Sequence, residues 1–481
     1  MDYLLALDIG TSGIKALAYT KDHQTLGTAY RSLSLIKDGN HATQDPAEVL
    51  QKIIDAVREI SSTHGTEAIA ITIGNAMHGI MLMDDDDQAL TPSITWADQR
   101  ASSVAQSLKS TALGKRFFVI SGTPIHAMSP LTKISWLNEH EPELINRTSH
   151  FADLKSLLLH HLTGQWVLDH STASATGIFD TQKLEWSEEI LKYLAISVDQ
   201  LPYPISGTKQ LKILPKVAER LGISDQAVII PGGSDGCLAN LGTNILNPGE
   251  AALTIGTSGA IRTTLPEWQI AEKGNLFTYY LEHGMYVMGG PSNNGGILLN
   301  WFVKTYVPET SIEALFMSID GSPEDILFFP WMLGERSPHW NDEVKYGFLS
   351  GPIGLPTEKL FKAVLQGILY NMKWIMEELE SNERQIKSIA ISGGLSANSI
   401  FCQLAADVLG KSIIRNDEKD SSIMGALKMG FKSLGWIADY HQWPLGKNGD
   451  NFNPNAEHSL VHSNQYQEFR NAYFAGVEPK L

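Results

Sequence analysis

Asp235 is the carboxylate of this chain whose neighbours in the sequence best suit a catalytic role. An apolar run at 229–230 leads into Pro231, two glycines, Ser234, Asp235 and a third glycine, and small residues with helical spacing follow. This order predicts a strand, a tight turn and a helix N-terminus. A carboxylate there is held on a rigid turn, beside backbone N–H groups that favour anions. An isolated Asp at such a position usually serves only as a helix cap, so its role depends on what else the chain supplies.

Two copies of one glycine turn could supply phosphate-binding groups. Residues 7–13 and 253–259 share the pattern Leu-x-Ile-Gly-Thr-Ser-Gly, and a basic residue follows each copy, Lys15 or Arg262. Strand, glycine turn and strand form a β-hairpin, whose N–H and hydroxyl groups can bind phosphate. The spacing matches neither the dinucleotide fingerprint nor the P-loop. Because the copies lie about half a chain apart, they indicate two related domains that grip a nucleoside triphosphate from both sides.

Polar and aromatic side chains also gather where two further strands are predicted to end. The strand at 68–74 runs into Met77 and His78, and Trp96 follows a second strand. Open α/β sheets bind ligands at the ends of their strands, so we expect these groups near Asp235. A single histidine such as His78 is more often a buried residue with its hydrogen bonds satisfied. Asp8, at the end of the first strand, could hold a water molecule on Mg²⁺.

The remaining pattern predicts the elements that position these groups. Helical spacing covers 45–62 and about 359–379, and the segment 102–195 is predicted to be mostly helical. The glycine-rich segment 289–296 is interpreted as a loop that opens a helix, a place where a phosphate or nucleoside can bind. A turn cluster at 247–250 predicts the boundary between two domains, residues 1–246 and 247–481.

Composition restricts the class of protein. The 481 residues are 43% hydrophobic and 19% charged, which predicts a globular protein with more than one domain. The net charge of −16 argues against a nucleic-acid partner or an anionic membrane. The only cysteines, Cys237 and Cys402, have no metal-ligand spacing, which favours a reducing cytoplasm. No apolar stretch is long enough to span a membrane, and the N-terminus lacks the pattern of a signal peptide. We therefore expect a soluble cytoplasmic protein with a small-molecule ligand.

Taken together, these motifs resemble the FGGY family of carbohydrate kinases, which belongs to the actin-like ATPase superfamily. The resemblance runs from the hairpin at 8–13, through the Met-x-Pro-x-x-Lys-Ile-x-Trp-Leu-x-Glu-His segment at 128–140, to the glycine turn at 393–394. In a second family pattern, near 347–351, Pro352 stands where an aliphatic residue is usual. The resemblance implies an α/β fold of two actin-like ATPase (ribonuclease H-like) domains with a nucleotide and sugar cleft between them. It also suggests a homodimer.

The resemblance also implies roles for individual residues. Asp235 is expected to be the catalytic base, ATP the phosphoryl donor, and Mg²⁺ the metal, with Asp8 and Asp235 beside it. Substrate contacts are expected from Met77, His78, Trp96, Asp98, Arg100, Met128 and Gly236. Nucleotide contacts are expected from Gly10, Thr11, Ser12, Lys15, Gly256, Thr257, Gly296, Asn300, Gly394 and Asn398. Several family members carry Asn or Gln at the position of Gly236, so one sugar contact is unassigned.

The segments 95–100, 234–236 and 293–296 are most similar to those of gluconate kinases in this family. This implies ATP-dependent phosphorylation of D-gluconate to 6-phospho-D-gluconate. A xylulose kinase, or another ketose or polyol kinase, is the alternative of the same class, and a non-catalytic actin-like ATPase module is the alternative of a different class. A gluconate site needs a cation for the carboxylate. Arg100, Lys155 and His78 are candidates, among which the sequence does not choose.

Overall fold

The structure, a computed structural model, describes residues 2–65, 67–349, 354–381, 385–416, 420–444 and 449–480. Pro352, the departure from the second family pattern, lies outside these residues. Among the helices described, none is long and apolar enough to cross a membrane.

The first half of the chain alternates strands and helices. Its strands are β1 (Tyr3–Ile9), β2 (Gly13–Thr20), β3 (Thr25–Ser32), β4 (Ile36–Asp38), β5 (His41–Gln44), β6 (Ala68–Asn75), β7 (Met81–Met83), β8 (Ser93–Ile94), β9 (His150–Ala152), β10 (Val167–Asp169), β11 (Phe179–Asp180), β12 (Glu185–Trp186), β13 (Tyr203–Ile205), β14 (Leu211–Lys212) and β15 (Val228–Ser234). Its helices are α1 (Pro46–His64), α2 (Ser102–Lys109), α3 (Ala112–Ser121), α4 (Pro130–His140), α5 (Pro142–Arg147), α6 (Leu154–Thr163), α7 (His170–Ser174), α8 (Glu188–Leu194), α9 (Pro215–Leu221) and α10 (Asp235–Gly242).

The second half has the same alternation. Its strands are β16 (Glu250–Ile255), β17 (Gly259–Leu265), β18 (Phe277–Glu282), β19 (Met285–Ser292), β20 (Phe328–Phe329), β21 (Gly347–Phe348), β22 (Ser388–Ser392), β23 (Ser412–Arg415) and β24 (Asn451–Phe452). Its helices are α11 (Ile297–Tyr306), α12 (Ile312–Ser318), α13 (Thr357–Glu380), α14 (Ser399–Leu409), α15 (Ser421–Ser433) and α16 (Ala456–Phe474).

The two halves contain sheets of related topology. In the first, the strand order is β14-β15-β6-β1-β2-β3, and in the second it is β18-β19-β17-β16-β22-β23-β24. In each sheet an antiparallel hairpin, β1–β2 or β16–β17, lies near the centre. Two further strands run parallel to the first strand of the hairpin, on the side away from the second: β6 and β15 in the first sheet, and β22 and β23 in the second. The duplicated hairpins predicted from the sequence are therefore confirmed, as is the two-domain α/β fold.

The parallel strands bring distant parts of the first half to one edge. Asp8 of β1 is opposite Gly74 of β6, and Asn75 of β6 is opposite Ser234 of β15. The three strands consist almost entirely of buried residues, so their register is determined by the core on both faces of the sheet. The residues that follow them, including Asp235, therefore lie side by side.

Two glycine segments differ from the prediction. β15 continues through a bulge, with Gly232 at φ +68°, directly into α10, so no separate tight turn precedes Asp235. Residues 289–292 belong to β19 and not to a loop. A Cβ on Gly289 would lie 2.6 Å from the Ile261 carbonyl oxygen. Glycine at this position therefore permits close strand packing, which composition cannot distinguish from a flexible loop.

Helix α15 joins the two halves, because it packs on the sheet of the first half although it lies late in the chain. Its buried residues share a core cluster with Leu4 of β1 and Leu238 of α10. A Cβ on Gly425 would lie 2.0 Å from the Leu238 carbonyl oxygen, so α10 and α15 are in backbone contact. The predicted boundary at 247–250 follows α10 and ends on the first residue of β16, and it stays a prediction.

Candidate active site

Asp235 is the first residue of α10, and Ser234 occupies the N-cap position. The Asp235 Oδ1 accepts a hydrogen bond of 2.7 Å from the Gly236 N–H, and the Met77 N–H also donates to this carboxylate. The side chain is only partly buried. A carboxylate that is oriented by backbone donors yet remains accessible can take a proton from a ligand, which a simple N-cap does not do.

The electrostatic surroundings of Asp235 suit a base. Burial raises the pKa of Asp235 to about 6, and the negative charge of Asp8 acts in the same direction. The Gly236 N–H and the positive charge of Arg262 lower this pKa and so limit the rise. General bases work best when their pKa lies near the operating pH.

We therefore expect kcat/KM for the sugar to fall as the pH is lowered through about 6, because protonated Asp235 cannot accept the hydroxyl proton. The measurement is the initial rate of ADP release between pH 5 and 8 at subsaturating sugar. Since the Arg262 charge lowers this pKa, Arg262→Gln should move the acid limb to higher pH. A flat profile over that range would contradict the assignment of the base.

Asp8 lies at the end of β1, beside the first glycine turn. Its Oδ2 accepts a 2.5 Å hydrogen bond from the Ser422 hydroxyl of α15. Its Oδ1 is buried and has no hydrogen-bond partner among the described residues. Burial raises the pKa of this carboxyl. A buried, unpartnered oxygen close to a second carboxylate, Asp235, is a donor set that suits a hard cation such as Mg²⁺.

The described residues contain no group of three or more His, Cys, Asp or Glu side chains able to hold a metal ion. A cation near Asp8 and Asp235 would therefore need additional oxygen ligands. The phosphates of a nucleotide supply such ligands in many Mg²⁺ sites, because this ion keeps few protein ligands. The residues present thus fit a metal that arrives with a nucleotide.

The first hairpin turn presents polar groups to the same edge. The Gly10 N–H donates to the Gly13 carbonyl at 2.9 Å, which closes the turn, and Ser12 is exposed. The Thr11 hydroxyl accepts a 2.8 Å hydrogen bond from the Trp96 indole N–H. Lys15 forms an ion pair with Asp420, the N-cap residue of α15. The nucleotide contacts predicted for this turn stay predictions, and the structure adds α15 as its neighbour.

The second hairpin turn packs on the start of α11. The Gly296 N–H donates to the Gly256 carbonyl at 2.7 Å, and the Ile297 N–H donates to the Thr257 carbonyl at 3.1 Å. A Cβ on Gly296 would lie 2.9 Å from the Gly256 oxygen, so the contact depends on glycine. A Cβ on Gly256 would meet none of the described atoms within 4 Å. The second hairpin turn is therefore fixed by its hydrogen bonds to the start of α11, and the space at Gly256 is open, as a phosphate site requires.

The other predicted nucleotide residues lie around this second hairpin. A Cβ on Gly393 would lie 2.4 Å from the Ile255 oxygen, so the turn after β22 contacts the end of β16. Gly394 is open, and Asn300 is exposed on α11. Asn398 is the N-cap of α14, and its side-chain oxygen accepts hydrogen bonds from two backbone N–H groups of that helix. Its amide N–H₂ group is the part that could bind a base or ribose.

Met77 and His78 form a wall beside Asp235. His78 has the left-handed φ of +70°, and its Nδ1–H donates to the Ala175 carbonyl at 2.7 Å. Burial, with the charges of Lys133 and Arg336, lowers the pKa of His78 to about 3. His78 is therefore neutral, and its Nε2 can only accept a hydrogen bond. The buried Lys133 ammonium donates to the carbonyl groups of His78 and Thr95, each at 2.7 Å, and so ties the two polar segments together.

The remaining predicted substrate residues have internal partners. Asp98 accepts hydrogen bonds from Arg100 at 2.8 and 2.9 Å and from the Ala42 N–H at 2.7 Å. The Arg100 guanidinium also lies 5.5 Å from the Trp136 ring centre. Met128 is buried. Direct substrate contact by these residues stays a prediction, and the observed contacts show that Asp98 and Arg100 position the loop that carries Trp96.

Sequence reasoning missed two arginines from the second half that reach this site. Arg262 of β17 would lie 3.6 Å, through its Nε, from a Cβ placed on Gly236. The Arg336 guanidinium lies 5.3 Å from the centre of the Trp96 ring. The signal for Arg262 was present, since it is the basic residue after the second hairpin copy, but its orientation could not be read from the sequence.

Comparison with known proteins agrees with this geometry. Residues 3–242 match the model of the N-terminal domain of the FGGY family of carbohydrate kinases, and residues 251–434 match the model of its C-terminal domain. The chain is 32% identical over 456 residues to a gluconokinase of Bacillus subtilis (strain 168), which covers 91% of this chain and 89% of that protein.

Two solved structures extend the similarity to the whole fold. A gluconate kinase from Lactobacillus acidophilus superposes with a TM-score of 0.93 at 27% identity and covers 98% of both chains. A ligand-bound xylulose kinase from the same organism also gives a TM-score of 0.93 at 27% identity, over 99% of both chains. The fold therefore does not separate these two kinds of sugar kinase.

Proposed function

Because this chain belongs to the FGGY family of carbohydrate kinases, which are ATP-dependent sugar phosphotransferases, we propose that it converts D-gluconate to 6-phospho-D-gluconate. The family membership makes the chain an enzyme that acts on a small-molecule sugar with ATP as the phosphoryl donor. It also removes the alternative of a non-catalytic ATPase module.

One observation carries the proposed mechanism: the Asp235 carboxylate, on the first residue of α10, accepts a hydrogen bond from the Met77 N–H and lies close enough to Asp8 for the charge of Asp8 to raise its pKa. A phosphoryl acceptor must touch both a base and the donor phosphate, so its hydroxyl belongs at this carboxylate. The preference for gluconate is supported by the 32% identity to the Bacillus gluconokinase and by the segments 95–100 and 293–296.

The proposed proton transfer uses only groups of this chain. Asp235 accepts the hydroxyl proton of the sugar as the oxygen attacks the γ-phosphorus in line with the departing ADP. The Gly236 and Met77 N–H groups hold the carboxylate in place during this step. The neutral His78 accepts a hydrogen bond from a second sugar hydroxyl through Nε2.

The phosphates belong between the two hairpin turns, where N–H groups of residues 10–13 and 256–259 can donate to them. Asp8 and Asp235 would lie next to the metal that accompanies the nucleotide. When bound, Mg²⁺ neutralises charge on the phosphate oxygens.

A panel of acceptors tests the substrate. We expect ADP release with D-gluconate to exceed that with D-xylulose, D-ribulose and glycerol by at least about tenfold in kcat/KM, the size of one well-placed charged contact. The product should be identified as the 6-phosphate by ³¹P and ¹³C NMR spectroscopy. A protein that leaves gluconate unreacted and phosphorylates xylulose is a xylulose kinase, the alternative that the equal structural similarity keeps open.

A further inference from the structure

Arg262 lies beside Gly236, the residue that follows the base. Gly236 follows Asp235, and a Cβ at this residue would lie 2.7 Å from the Met77 Cε and 3.6 Å from the Arg262 Nε. A Cβ alone would be in ordinary contact with Arg262, so a side chain larger than alanine at 236 would compete with the guanidinium for this space. At Gly236 the chain places a cation from strand β17 beside the base.

Arg262 is partly buried, and its buried Nε lacks a hydrogen-bond partner among the described residues. The same holds for the Nε of Arg336. The charges of Asp235 and Glu335 act on Arg262 and Arg336, respectively, but the two buried Nε–H donors still have no acceptor among the described residues. A buried N–H donor without an acceptor is costly unless a ligand supplies one.

Arg336 has more contacts than Arg262 and lies on the other side of the space beside Gly236. Its Nη2 donates to the Ser292 carbonyl at 3.3 Å, its backbone N–H donates to Glu335, and it stacks on Trp96. Burial lowers the pKa of Arg336 to about 10 and also lowers that of Arg262. Arg336 therefore stays positive at neutral pH, and a guanidinium such as Arg262 is ordinarily protonated there as well.

The cations proposed from the sequence do not meet the need of a sugar carboxylate. Arg100 is bound by Asp98 through two hydrogen bonds. The Lys155 ammonium is fully buried and donates to Asp169 and to the Gly233 carbonyl, each at 2.8 Å. His78 is neutral. Unlike these groups, Arg262 and Arg336 each have a buried Nε donor with no acceptor among the described residues.

We propose that Arg262, with Arg336 beside it, binds the carboxylate of a sugar acid and thereby selects aldonates over uncharged sugars. This inference rests on the proposed function, because it concerns the acceptor site of the same reaction. A guanidinium presents two parallel N–H donors to a carboxylate, and two guanidinium groups can satisfy all of its lone pairs. Specificity would then come from the second half of the protein, whereas Met77 and His78 belong to the first. The substrate carboxylate would therefore be fully bound when the two halves are together.

A transferring phosphoryl group is the other anion that could attract Arg262. The surroundings favour the carboxylate. The charges that act on Asp8, at the phosphate edge, come from Lys15, Asp420 and Lys155, whereas the charge of Arg336 acts on His78 in the sugar wall. Arg336 thus lies near His78, and Arg262 lies near Met77, because both Met77 and Arg262 approach Gly236, so the pair is on the side of the sugar wall.

The test compares D-gluconate with D-gluconamide, which has the same length and hydroxyl groups but no charge. Binding is measured by isothermal titration calorimetry with ADP present, so that no turnover is needed. We expect wild-type protein to bind gluconate about 10- to 100-fold more tightly than the amide, the range for charge-assisted hydrogen bonds. Arg262→Gln should remove most of this preference while leaving binding of the amide nearly unchanged, and Arg262→Lys should restore part of it.

Two further variants control for folding and for charge. Arg336→Gln should reduce the same preference, which keeps the test available if Arg262→Gln does not fold. Arg116→Gln removes a guanidinium that is two-thirds exposed and paired with Glu189, and it should change neither affinity. Each variant should be accepted only if its melting temperature lies near that of wild type.

The outcomes separate the inference from the proposed function. Equal binding of acid and amide by wild type, or a preference that survives both arginine substitutions, overturns the carboxylate site even if gluconate is phosphorylated. Equal loss of kcat with gluconate and xylulose in Arg262→Gln, at unchanged affinity, also overturns it and assigns the arginine to the phosphoryl group. Arginine-dependent binding of gluconate without ADP release supports the carboxylate site and overturns gluconate as the acceptor.

Discussion

Asp235→Asn is expected to lower kcat by about 10³-fold while sugar and nucleotide affinities change little, because positioned general bases contribute about 10² to 10⁴-fold. The amide keeps the size of the side chain, and its carbonyl oxygen can still accept the Gly236 N–H bond. It cannot take up the hydroxyl proton. The measurement is steady-state ADP release, together with calorimetric affinities for gluconate and ADP.

The matched control is Asp225→Asn, an exposed Asp→Asn change in the same half of the chain, which should leave kcat unaltered. Near-normal turnover of Asp235→Asn would show that Asp235 is not the base. A large loss of sugar affinity would instead assign Asp235 to ground-state binding. Because burial and the charge of Asp8 raise the pKa of Asp235 to about 6, the substitution should also abolish the acid limb of the pH profile.

Gly425→Ala is expected to lower the free energy of unfolding by about 1–3 kcal/mol or more and to lower kcat as well. Alanine favours helices over glycine by about 1 kcal/mol, so the sign of this effect depends on packing. The new Cβ would lie 2.0 Å from the Leu238 carbonyl oxygen, and α10 and α15 would have to separate. Since α10 carries Asp235 and α15 carries Ser422, the separation should also displace Asp235 from Asp8. Displacements of about 1 Å cost about 10²-fold in rate.

Chemical denaturation and kcat should be measured for Gly425→Ala beside Gly321→Ala. A Cβ on Gly321 would meet none of the described atoms within 4 Å, so this control should be neutral in both measurements. Gly242→Ala provides a second variant at the same interface, because its Cβ would lie 1.8 Å from the Ser421 oxygen. Unchanged stability of both interface variants would show that the two helices are not in backbone contact in solution.

The local sequence pattern was sufficient to identify features that are formed by a single continuous segment of the chain. The hairpins at β1–β2 and β16–β17 were predictable because two apolar runs on either side of a glycine turn are properties of neighbouring residues. Helices α1 and α13 were found within two residues of their observed ends from apolar spacing alone. Asp235 was singled out for the same reason, since a strand end and a helix start adjoin it in sequence.

Other features depended on contacts between residues far apart in the chain. The glycines at 289–290 were predicted as a loop, because sequence does not show that β17 and α13 pack against them too closely for a Cβ. The sequence offered Arg100 and Lys155 as carboxylate ligands, and the structure shows that each of them is paired with an acid of the same half, Asp98 or Asp169. A charge can be recognised in a sequence, but its partner cannot.

The sequence by itself determined the two-domain α/β fold, the duplicated glycine hairpins and the acid at position 235, because the motifs that indicate them are short runs of residues. Only the tertiary structure decided that α15 returns to the first half and that Arg262 reaches the space beside Gly236. The physical reason is that packing and charge neutralisation are set by distance in space, and residues 236 and 262 become neighbours only when β17 lies against α10. Asp235 could be identified from the sequence, whereas Arg262 and Arg336 could be identified as its neighbours only from the tertiary structure.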